Sequence, residues 1–193
     1  MHALRRRRPH KGYWTLSRIK FADVNSPDIA PKARQIVAER GSVLDLYKML
    51  LHSPRVAMGW LHYLTAIRHE CELAGHIREL VIMRVAILNG ATYEAEQHAP
   101  IARREGVTLR QLETLNNWES SAEFNEQQRA VLAYTDAMTQ NIRVSADVFL
   151  GIRSHFNDRL IVELTATIAA YNMVSRFLEA LEIHATHHER SRL

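Results

Sequence analysis

From Asn157 the chain continues as DRLIVELTATIAAYNMVSRFLEALEI, residues 158 to 183, without a glycine or proline. A run of this length exceeds any ordinary strand and is rich in helix formers. Ile161, Leu164, Ile168, Tyr171, Val174, Phe177 and Leu181 recur at helical spacing and form one stripe, and Val162, Ala166, Ala169 and Met173 add a second. A helix apolar on most sides must be covered on most sides, by the core or by another subunit. For a chain of 193 residues the second is favoured. A homo-oligomer joined through apolar helices including 157–183 is therefore expected.

The remainder reads as helix, turn, helix. Ser26-Pro27 is expected to cap and open a helix that Gly41 closes. SVLDLYKMLLHS places Leu44, Tyr47 and Leu51 on one stripe, and Ser53-Pro54 starts a third helix. Gly75 separates that helix from residues 76 to 88, which Asn89-Gly90 ends with a left-handed cap. The next helix begins near Thr92 and meets Pro100, which is expected to kink or end it. Thr108-x-x-Gln111 and Asn125-x-x-Gln128 are capping boxes, and Ser145 caps a short helix to Phe156. No segment alternates apolar and polar residues between hairpin turns, so no strand is expected. The prediction is an all-α fold of about nine helices in a single domain. A basic, mobile N-terminal extension covers 1–22, the helical body 23–185, and a C-terminal tail 186–193.

Charge and cysteine usage narrow the function classes. Residues 1 to 11 hold five bases, Arg5 to Arg8 and Lys11, and no acid. Setting them aside leaves 20 of the 25 basic residues against 21 acidic ones, so the high pI belongs to the tail. The body lacks the basic, aromatic-interleaved face of a nucleic-acid binder. No apolar run approaches a membrane span and no signal-peptide pattern follows Met1, so the reading is cytoplasmic with no membrane partner. Cys71 is the single cysteine, which excludes any mechanism that needs two thiols in one chain.

The residues that bear chemistry cluster in NGATYEAEQHAP, 89 to 100. Glu94 and His98 are four apart, on one helical face, where a carboxylate can orient an imidazole and tune its basicity. Glu79 lies ten residues before Asn89, and His98 lies eight after Gly90. A helical hairpin about the Asn89-Gly90 turn brings Glu79 and His98 to one level. The Glu94 and His98 spacing also describes a solvent-facing pair worth under ~1 kcal/mol, and both readings stand at this point. Glu96 and Gln97 fall on other faces as solvent contacts, and Tyr93 as a packed aromatic. His184, His187 and His188 have a spacing that could hold zinc but sit in the tail, and no metal or cofactor is expected.

RELVIMRVAILNGATYEAEQHAPIARREG, residues 78 to 106, resembles the signature region of the carboxymuconolactone decarboxylase family, which includes the AhpD-like alkyl hydroperoxidases. LYKMLLHSPRVAMGW resembles the family's N-terminal helices and YNMVSRFLEALEI the C-terminal helix of a Tyr-Glu subgroup. The resemblance implies an AhpD-like helical fold. In the hydroperoxidases the pattern is a Glu, a Cys-x-x-Cys and a His; Glu79 and His98 match, while Ala91 and Glu94 stand where the cysteines belong. Thiol peroxidase chemistry loses both sulfurs, leaving only Cys71, outside the signature. The lactone-decarboxylase branch implies acid/base chemistry without metal or organic cofactor on a small organic acid or lactone. Glu79, Glu94 and His98 would be catalytic, with Tyr93, Asn172 and Arg176 binding substrate and Arg176 anchoring a carboxylate. The competing readings are an AhpD-like peroxiredoxin and a non-catalytic helical ligand-binding oligomer.

Overall fold

A computed structural model describes residues 17–183. The tail Arg5–Arg8 and the histidines His184, His187 and His188 lie outside the described residues. Among these residues there are nine α-helices and no strand. They are α1 (Ala30–Arg40), α2 (Asp45–Leu50), α3 (Pro54–Thr65), α4 (Gly75–Asn89), α5 (Thr92–Arg104), α6 (Leu109–Thr114), α7 (Glu126–Asp136), α8 (Ala146–Arg153) and α9 (Asp158–Ala180). Two π-helical turns, Ala66–Glu70 and Ala137–Asn141, extend α3 and α7, and a 3-10 turn, Leu115–Ser120, follows α6.

The cap signals set most boundaries. Both capping boxes form in full, with Thr108 and Gln111 at the start of α6 and Asn125 and Gln128 at α7. Ser145 and Asn157 accept from the backbone of Val148 and Leu160. Gly41 and Gly90 take the left-handed conformation that ends a helix, at φ 78° and 67°. Three expectations shift. Pro27 belongs to a turn in which Ile29 and Ala30 bond back to Ser26, and Pro31 occupies the first turn of α1 instead. Gly75 is the first residue of α4 rather than a spacer. Helix α5 runs through Pro100 to Arg104, because Pro100 sits on its exposed side, where a missing N–H and a displaced carbonyl relax toward solvent.

Helix α4 is the central rod, packed by α5, α7 and α9. It buries residues on all sides, Glu79 and Arg84 among them. One core cluster lies between α1 to α4 and α9, with Leu61, Ile77, Leu164 and Ile168 at its centre. A second, smaller one joins Leu80 and Met83 to Leu115, Trp118 and Leu132. Each fully buried leucine or isoleucine contributes roughly 1.5–3 kcal/mol. Along α9 the first stripe is the buried one, whereas Val162, Ala169 and Arg176 are exposed. The described part of the expected N-terminal extension is fastened to this body. Arg18 donates its backbone N–H to Leu181 and pairs with Glu182, and Ala22 is buried.

No helix among the described residues is long and apolar enough to cross a membrane.

Candidate active site

The hairpin of α4 and α5 brings Glu79 and His98 together. His98 Nδ1 lies 2.8 Å from Glu79 Oε2, and Glu79 has no exposed surface. The other Glu79 oxygen accepts from Arg78 Nε at 3.2 Å, and Arg78 reaches outward to Glu105 at 3.5 Å. Glycine at the head of α4 leaves room for that outer carboxylate, since a Cβ on Gly75 would fall 1.7 Å from Glu105 Oε2. The ring of Tyr171, from α9, meets the His98 ring edge-on with centroids 5.1 Å apart.

Burial pushes the His98 imidazolium down from its ordinary range, and the Glu79 bond and charge only partly oppose it. Burial also pushes the Glu79 carboxyl up. There the His98 hydrogen bond, with the His98 and Arg78 charges, wins, and the net shift is downward. At neutral pH this describes a carboxylate beside a neutral imidazole. The carboxylate only accepts, so Nδ1 carries the proton and Nε2 the lone pair.

Glu94 has the opposite character. It is 2 % exposed, and burial drives its carboxyl up to about 8, against a Ser175 hydrogen bond that lowers it and with Glu179 raising it further. At neutral pH it is an acid holding its proton. Ser175, on α9, donates its hydroxyl to Glu94 Oε2. The same hydroxyl lies 2.8 Å from the Tyr171 carbonyl; when it turns there, the Glu94 proton can sit on Oε2 instead. In either arrangement Glu94 Oε1 is buried with no hydrogen-bond partner.

Glu94 and His98 share the wall of one cavity, about 500 Å³ of atom-free space including its open mouth. Tyr93, Tyr171 and Gln97 line it with them, Leu44, Leu46, Leu64, Val174 and Leu178 supply apolar walls, and Arg40 and Arg68 supply cations. Glu79 stands behind His98, outside the lining. The structure thus brings Glu79, Glu94, His98 and Tyr93 together. Gln97, expected as a solvent contact, is on the wall because its side of α5 faces α2 and α3 residues there. Asn172 is buried away from the lining, giving its amide to Thr139 and Ile168 and accepting from Asn89. Arg176 is exposed on α9 and is not a lining residue, since the helix turns its neighbour Ser175 inward. Sequence reasoning passed over Ser175, Tyr47, Arg40 and Arg68. The available signals were a serine one turn after Tyr171 on the buried stripe and an arginine inside the apolar LTAIRHE. Cys71 is half-buried, off the cavity wall, with its thiol pushed up by burial. Among the described residues no group of three or more His, Cys, Asp or Glu side chains is placed to hold a metal ion.

Residues 54–137, which carry Glu79, Glu94 and His98, match the model of the carboxymuconolactone decarboxylase family. That stretch is less than half of the chain, and over it the chain is similar to the carboxymuconolactone decarboxylase/AhpD-like family. It is similar to the uncharacterized protein YdfG of Bacillus subtilis (strain 168), 26% identical over 106 residues, 54% of this chain and 72% of the relative. Among solved structures it resembles a protein of unknown function from Agrobacterium tumefaciens proposed as the antioxidant defence protein AhpD. The TM-score is 0.67 at 25% identity, covering 71% of this chain and 95% of that one. An uncharacterized peroxidase-related protein from Ralstonia eutropha JMP134, described as an alkylhydroperoxidase AhpD core, shares the fold with a TM-score of 0.77 at 18% identity. That match covers 91% of this chain and 95% of the other. Ser175 and Tyr171 lie outside the family match, so the family segment supplies the histidine and both acids while α9 supplies their packing.

Proposed function

We propose that the cavity is the active site of a cofactor-independent acid/base enzyme of the lyase or decarboxylase type, acting on a small organic acid or lactone. The observation that carries this reading is the split between Glu94 and His98. One environment keeps a carboxylic acid protonated while another keeps an imidazole neutral, on one cavity wall. Groups pushed apart in this way divide into an acid and a base. For an acid whose carboxylate lies β to a carbonyl, the C–C bond breaks, carbon dioxide leaves, and the electron pair moves into the carbonyl. Its oxygen takes the Glu94 proton to give an enol. His98 Nε2 takes a proton from water, leaving hydroxide to the solvent, and passes it to the carbon as the Glu94 carboxylate recovers its own proton from the enol oxygen. Glu79 holds the imidazole ring and stabilises its cation while that proton passes.

Peroxidase chemistry through the lone thiol has less support, because Ala91 and Glu94 occupy the cysteine positions and Cys71 does not line the cavity. The test is His98→Gln, which keeps a donor for Glu79 but removes the base. Turnover on a panel of small lactones and β-keto acids, followed as carbon dioxide release and deuterium uptake from D₂O, is expected to fall by roughly 10²–10⁴. The circular-dichroism melt should move little. Undiminished turnover in that variant ends the acid/base reading.

A further inference from the structure

Arg68 sits on the π-helical turn Ala66–Glu70 at the end of α3 and lines the cavity, close enough for its charge to act on Tyr47, His98 and Tyr171. Such turns interrupt regular helix and recur at functional sites. Among the described residues that are buried or half-buried, Arg68 is the one arginine whose side chain makes no hydrogen bond or ion pair. Its companion Arg40 is engaged, donating to Thr65 at 2.8 Å and lying 3.1 Å from His69 Nε2. Arg78, Arg84 and Arg129 are likewise bonded. A second group on the same wall is unsatisfied. Tyr47 is 2 % exposed and its hydroxyl proton meets no acceptor; Arg40, a donor only, can reach the phenol oxygen, and its charge and hydrogen bond oppose the upward push of burial. Buried donors left without acceptors are rare in folded proteins because each forfeits its bond to water.

We propose that Arg68 and the Tyr47 hydroxyl form an anion subsite that binds the carboxylate of a small carboxylic acid whose apolar body lies on Leu44, Leu46, Leu64 and Leu178. The inference rests on the cavity being the active site. It goes further in selecting a monocarboxylate over a neutral lactone, and in assigning the anchor to Arg68 rather than Arg176. One guanidinium fork matches a planar carboxylate in two parallel bonds, and Arg40, the other cation of the lining, is already engaged by Thr65 and His69. At neutral pH the protonated Glu94 adds no opposing charge.

The experiment is calorimetric titration of the full-length protein at pH 7 with benzoate and with benzamide, its uncharged isostere. Wild type is expected to bind benzoate about tenfold or more tightly than benzamide, as a charge-assisted pair requires. Arg68→Gln should abolish that preference, Arg68→Lys should keep part of it, and Tyr47→Phe should weaken benzoate alone by several fold. His98→Gln should keep the full preference, so loss of turnover and loss of anchoring are read separately. Equal affinity for the two compounds in wild type, no benzoate binding, or a preference that survives Arg68→Gln overturns the proposal. If Arg68→Gln does not fold, a preference undiminished in both Arg68→Lys and Tyr47→Phe overturns it equally.

Discussion

Glu94→Gln is expected to cut turnover severely and, at alkaline pH, to give a more stable protein. The amide has the shape of the protonated carboxyl, so Ser175 can still donate to its oxygen and the cavity wall is unchanged. What the variant lacks is a proton to give, a loss of roughly 10²–10⁴ in rate for a general acid. The stability effect follows from linkage. The Glu94 carboxyl titrates at about 8 in the folded protein against an ordinary value of 4.5, so between those pH values the native state holds a proton that the unfolded chain has released. Its stabilising contribution is complete below pH 4.5 and is lost as pH rises through 8, on the order of a few kcal/mol. Melting temperatures from pH 4 to pH 9 should therefore fall for wild type relative to Glu94→Gln across that window. Below it the two curves should run parallel. The same ionisation sets the alkaline limb of the wild-type rate profile near pH 8, while the depressed His98 sets the acid limb below its usual 6.5. Parallel melting curves at every pH would show that Glu94 titrates normally and remove the acid from the mechanism.

How much of this was legible beforehand depends on how local the determinants are. Capping boxes, Gly41, Gly90 and the long run of α9 act within a few residues, and they gave an all-α chain with nearly correct boundaries. The meeting of Glu79 and His98 needed only one turn and the helical rise per residue, and it came out at 2.8 Å. Pro27 and Pro31 compete for the same first-turn role, and their spacing does not say which one the turn at Ser26 will use. The cavity's far wall was invisible because Tyr47 and Arg68 reach it from other helices, well before Glu94 in the chain. Arg176 was chosen on chemical type and Ser175 was passed over, yet adjacent positions on a helix point about 100° apart, and the buried stripe through Tyr171 favours the serine. Helix α4 was read only in part. Its Arg84 drew no expectation at all, yet it is buried like Glu79, because partners from α7 and α5 meet the two charges.

Asp136→Ala tests the second of those burials and should cost about 3 kcal/mol or more. Arg84 on α4 is 6 % exposed. It donates to both carboxylate oxygens of Asp136 on α7, at 2.7 and 2.6 Å, and to the carbonyls of Leu115 and Asn116 at 3.1 and 3.3 Å. Trp118 Nε1 donates to the same carboxylate at 3.1 Å. Removing Asp136 leaves the guanidinium without its counter-charge and the indole N–H without its acceptor inside the fold, and one-sided loss of a buried pair costs about 3–5 kcal/mol. A polar pocket bordered by Arg84, Asp136, Asn117 and Gln140 admits solvent to this region, which places the effect at the low end. In a chain of this length that is a fall in melting temperature of roughly 6–12 °C. Arg84→Met combined with Asp136→Leu removes both charges at once and should recover much of the loss, because no uncompensated ion remains. The pair also fixes α4 from the side of α7 while Glu79 works on the side of α5, so Asp136→Ala should reduce turnover far less than Glu94→Gln does. A single variant melting within about 2 °C of wild type would mean that the bond network around Arg84 is replaceable by water, and that α4 is held in register by its apolar contacts alone.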